Sequence, residues 1–121
     1  MLEQEVEKLL AILESLNARR AELLAEADEL KELGITDGRP DWNRKKYLYL
    51  RFPTQSGERA REYIGSDPVK TDAALRMVER SIQHKNLLHH VDQIDAKQNE
   101  VKQALSTLRD SAALLLKTIG G

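Results

Sequence analysis

The sequence predicts a mainly α-helical protein: an antiparallel coiled-coil helical hairpin with a β-hairpin inserted at its tip, assembled as a homo-oligomer. Three observations predict it. Leucine recurs every seven residues near the N-terminus, at Leu2, Leu9, Leu16, Leu23 and Leu30. A second heptad series runs through the C-terminal half. Between the two, YLYLRF (47–52) alternates as a half-buried strand does. The composition agrees. With 32% charged residues and 4% aromatics, the chain has the make-up of long helices rather than of a thick-cored globule. Its 121 residues suit a single elongated domain, 1–121.

The first helix is predicted over 2–33. Its apolar residues, Leu2, Val6, Leu9, Leu13, Leu16, Leu23, Ala27 and Leu30, step by fours and threes, with Arg20 filling the gap. Leu10, Ile12, Leu24 and Leu33 widen the stripe, which favours a bundle of more than two helices. Arg20 at a seam position is costly unless it snorkels or meets a carboxylate, so it is expected to set register. Gly34 supplies the C-cap, and TDGRPD follows as turn residues.

The second helix is predicted over 68–119. Asp67 caps it and Pro68 opens its first turn, with Thr71 an alternative cap. Leu75, Val78 and Ile82 begin a stripe. The heptad series then runs Leu87, Val91, Ile94, Val101, Leu105, Leu108, Ala112, Leu115 and Ile119, with Gln98 its one polar member. The step from Ile82 to Leu87 breaks phase, so the supercoil is expected to change there. At ~1.5 Å per residue the helices span about 48 and 76 Å. Paired from their joined ends, the first covers the second to about position 101. The seam beyond it (Leu105, Leu108, Ala112, Leu115 and Ile119) is therefore expected to pack on a second copy.

The hairpin region is 44–65. YLYLRF and ERAREYI (58–64) are joined by PTQSG. Alternation puts Tyr47, Tyr49 and Arg51 on one face, opposite Arg59, Arg61 and Tyr63. The other face carries Leu48, Leu50 and Phe52 with Ala60, Glu62 and Ile64, and needs an apolar partner. From Arg39 to Arg61 there are seven basic residues and two acidic ones, a net +5. The whole chain is −1, which leaves −6 elsewhere. The candidate contact residues are Arg44, Lys45, Lys46, Tyr47, Tyr49, Arg51, Arg59, Arg61 and Tyr63. Arg and Lys suit phosphates and Tyr stacks on bases, so the expected partners are DNA or RNA, or an acidic protein surface. Against this stands a purely structural account, in which cross-strand Tyr–Arg pairs and edge cations merely stabilise a ribbon.

The strands Y-x-Y-L-R-F and R-x-R-x-Y-I-G resemble a hairpin signature of small uncharacterised bacterial proteins, phage- and plasmid-borne ones included. That resemblance implies no known activity. The helix–hairpin–helix order also resembles a β-type prefoldin subunit, which implies a holdase chaperone as an alternative.

Nothing in the sequence points to catalysis. There is no cysteine, no Gly-rich phosphate loop and no nucleophile motif. His84 and His89 are five apart and do not share a helix face; His89 and Asp92 have usable spacing, but two ligands are not a site, so neither a metal nor a cofactor is expected. Trp42 is expected to pack where the first helix meets the hairpin, the rival reading being an exposed binding anchor. The acidic amphipathic N-terminus and the absence of a long apolar run predict a cytoplasmic protein with no membrane partner.

Overall fold

The computed structural model describes residues 2–53 and 60–120. The order is α1 (Leu2–Leu33), β1 (Arg39–Asn43), β2 (Tyr47–Phe52), β3 (Ala60–Gly65) and α2 (Pro68–Gly120). The protein is mainly helical, and the strands form one antiparallel sheet in the order β1-β2-β3. The contacts divide into two compact units, Met1–Leu24 with Leu88–Gly121, and Ala25–Leu87. No helix among the described residues is long and apolar enough to cross a membrane.

In the first unit α1 and α2 run antiparallel, and the heptad seams become the buried positions. Leu23, Val91 and Val101 are buried, while Val6, Leu9, Leu13, Leu16 and Ile94 are half-buried. Two polar pairs fix the register. Gln98, buried, donates from Nε2 to Asn17 Oδ1. Arg20 donates from Nε to Asp95 Oδ1 at 2.7 Å. The seam arginine thus meets a carboxylate, and sliding either helix would strand both pairs.

That register corrects the expected uncovered seam. With Asn17 level with Gln98, equal helical rise brings Leu2 level with Ala113. Leu2 and Val6 accordingly share a groove of about 460 Å³ with Leu105, Leu108 and Ala112. These three residues have neighbours within the chain. What stays open is the next turn: Leu114, Leu115 and Leu116 are 67%, 61% and 71% exposed. The side chain of Ile119 lies outside the described residues.

In the second unit α1 ends at Gly34, whose φ of 111° is left-handed. Its N–H reaches the carbonyls of Leu30 and Lys31, and Arg80 Nε donates to its own carbonyl at 2.6 Å. A glycine stop is thus reinforced by a cation at the negative helix end. At the start of α2, Asp67 Oδ1 accepts from Val69 N–H at 3.2 Å, as the Asp-Pro signal requires.

The sheet packs its apolar face on the first turns of α2. Leu48, Leu50 and Ala74 form the buried cluster, with Phe52, Ile64, Leu75 and Val78 against it. Burying each large side chain contributes roughly 1.5–3 kcal/mol, which supplies the partner that a lone hairpin lacks. The fit is close: a Cβ on Gly38 would stand 3.0 Å from Leu50 Cβ and 3.1 Å from the Phe52 ring. The inward positions of α2 here are Thr71, Ala74 and Ser81, all buried, whereas Ile82 is 56% exposed. This corrects the stripe read through Ile82. Leu75 and Val78 pack on the cluster as the stripe predicts, the fully buried positions carry small side chains, and Ile82 turns out.

β1 is a third correction. Arg39, Pro40 and Asp41 belong to the segment expected as turn, yet they pair with β2 together with Trp42 and Asn43, from Arg39↔Arg51 to Asn43↔Tyr47. The two-stranded hairpin is therefore a three-stranded sheet.

Candidate nucleic-acid interface

Pairing sorts the polar face of the sheet into cross-strand rows. Arg39, Arg51 and Arg61 form one row. Asp41, Tyr49 and Tyr63 form the next, and Asn43 with Tyr47 the third. Up to Tyr63 the side chains fall on the expected faces, but the pairing is shifted by two residues from that of a five-residue loop, so that Arg61 rather than Arg59 stands opposite Arg51, and a bulge between Leu48 and Tyr49 leaves Ile64 out of the ladder. The other face carries Leu48, Leu50 and Phe52. Trp42 lies on that face, opposite Leu48, and is 45% exposed.

Three arginines side by side repel one another, and like charges directly opposite destabilise a sheet. Asp41 relieves this. Its Oδ2 accepts a hydrogen bond from Arg61 NH2 at 2.7 Å. The same oxygen lies 3.1 Å from Arg51 Nε, within reach of charge attraction. That Nε is closed off from solvent and makes no hydrogen bond among the described residues. One carboxylate thus serves two guanidiniums.

The rings are packed too. Tyr49 and Tyr63 have centroids 5.0 Å apart at 52°, a tilted pair. The Arg61 guanidinium sits 4.7 Å from the Tyr49 centroid, and Lys46 Nζ 5.6 Å from that of Tyr47. Tyr47, Tyr49 and Tyr63, with Asn43 and Arg44, line an open trough of about 390 Å³.

β1 and β2 are joined by a tight turn in which Lys46 N–H reaches the Asn43 carbonyl at 3.2 Å. Both central residues have positive φ, Arg44 at 54° and Lys45 at 58°. That is the signature of the primed turn that joins short hairpins, which normally takes Asn-Gly or Asp-Gly. Non-glycine residues held there cost about 1–2 kcal/mol each. Arg44, Lys45 and Lys46 are all exposed.

Of the residues singled out in the sequence, Tyr47, Tyr49, Arg51, Arg61 and Tyr63 share one face, with Arg44, Lys45 and Lys46 at its end. Arg59 lies outside the described residues. Asp41 and Asn43 were missed as members of the site. Their signal was present: Arg39, Asp41 and Asn43 alternate with Pro40 and Trp42, a period of two disguised by turn-forming residue types. No protein family, characterised protein or solved structure matches the chain. Among the described residues no three His, Cys, Asp or Glu side chains are grouped to hold a metal ion.

Proposed function

We propose that the protein is a non-enzymatic binding protein whose sheet contacts nucleic acid, and that it works as a homo-oligomer. One observation carries the first part. A trough lined by three tyrosines and Arg44 lies on a face that also carries Arg39, with the exposed cations Lys45 and Lys46 in the adjoining turn, and Asp41 is the one acidic side chain on that face among the described residues. Stacking surfaces beside cations are what a sugar–phosphate strand with bases requires. Arg51 and Arg61 are tied to Asp41, so the cations free for phosphates are those of the turn and Arg39. The self-association reading rests on Leu114, Leu115 and Leu116, consecutive leucines left in water.

The test is binding of labelled DNA and RNA across a salt series. Affinity is expected to fall steeply with salt. Arg39→Gln with Lys46→Gln should weaken binding and flatten the slope by about 0.7–0.9 per lost contact, with an unchanged circular dichroism spectrum. Wild-type protein that binds no nucleic acid at about 100 μM in low salt would end this reading. The face would then be a protein contact or a purely structural ribbon.

A further inference from the structure

Resting on the nucleic-acid reading, we propose that the Asn43–Lys46 turn grips the phosphates of a single strand, one of whose bases stacks on Tyr63 over the trough. The turn is the first argument. Its geometry favours Asn or Gly at both central positions, and the chain places Arg44 and Lys45 there instead. Local strain of this kind is concentrated at ligand clamps, where the strained residue does something an easier one cannot. Here the easier residues would carry no positive charge, and the strained pair carries two.

The tyrosines are the second argument, because they are not equivalent. Tyr49 is half-buried, covered by the Arg61 guanidinium and tilted against Tyr63. Tyr47 is half-buried beneath the Lys46 ammonium. Tyr63 is 58% exposed, the most exposed of the three tyrosines. Tyr49 therefore props the platform, and Tyr63 is its free surface.

Size and placement are the third. The trough of about 390 Å³ falls within the roughly 300–1,000 Å³ of small-ligand sites, and Arg44 forms part of its wall. A base seated there has its backbone beside the turn. A duplex offers no free base face to Tyr63, so the ligand is single-stranded.

The test uses fluorescence anisotropy with oligothymidylate, oligouridylate and a duplex of equal length, alongside thermal unfolding. Wild type is expected to bind either single strand more tightly than duplex. Tyr63→Leu should weaken strand binding roughly 5- to 100-fold and leave duplex binding unchanged. Arg44→Asn with Lys45→Gly is the sharper variant. It supplies the residues the turn favours, so the melting temperature should rise. Strand binding should nevertheless weaken, with a log–log salt slope flatter by about 1.4 for two lost contacts. A stabilised double variant that binds strands as wild type does would overturn the grip while leaving nucleic-acid binding intact. Equal binding of duplex, or displacement of the strand by polyglutamate at equal charge, would overturn the base stack in favour of a charge-only contact. Wild type that binds no nucleic acid at all would end both this inference and the reading beneath it.

Discussion

At the scale of single residues, Asp41 decides how much of the basic face is free. It is the carboxylate between Arg51 and Arg61, at 3.1 and 2.7 Å, and it stands where a phosphate could stand. The pairs are partly exposed, so each contributes no more than about 1 kcal/mol to folding. Asp41→Asn removes the counter-charge from a row of three arginines. The expected outcome is twofold: a melting temperature a few degrees lower, and tighter, more salt-sensitive binding of nucleic acid. Anisotropy titrations at two salt concentrations measure the second effect. Weaker binding by Asp41→Asn would mean that the carboxylate organises the site rather than competing with its ligand.

At the scale of elements, the helices were legible and the sheet was so only in part. α1 and α2 keep their expected bounds to within a residue, because caps and a sustained 3.6-residue period act locally. β1 was hidden because Pro, Asp and Asn are poor strand formers; pairing with YLYLRF overrides their preference. Its turn was hidden because RK is an unfavourable filling for a primed turn. The inward face of α2 was misread at Ile82, since no apolar period marks Thr71, Ala74 and Ser81. Their burial comes from the nearness of another part of the fold. This supports a contrast measurable by urea unfolding. Ile82→Gln should leave stability within about 0.5 kcal/mol of wild type, whereas Ser81→Leu should cost roughly 1–3 kcal/mol through overpacking. Equal costs for the two would return Ile82 to the packed face.

At the scale of the whole molecule, the question is what covers the end of the first unit. The groove between Leu2, Val6, Leu105, Leu108 and Ala112 has Lys102 and Arg109 on its α2 wall, and the exposed Leu114, Leu115 and Leu116 follow along the same helix. The first turns of α1 carry Glu3, Glu5 and Glu7. A second copy related by a two-fold axis would set acid against base while covering the leucines. Light scattering at micromolar concentration should therefore give at least twice the 13.8 kDa chain mass. Leu108 is a poor place to test this, because it packs within the chain, and a charge there would damage the monomer itself. Leu115→Asp with Leu116→Asp is cleaner, since both side chains are exposed in a single chain. The double variant should shift towards monomer and keep the cooperative unfolding of its helices. A wild-type monomer across that range would remove the assembly and leave the exposed leucines for a different protein.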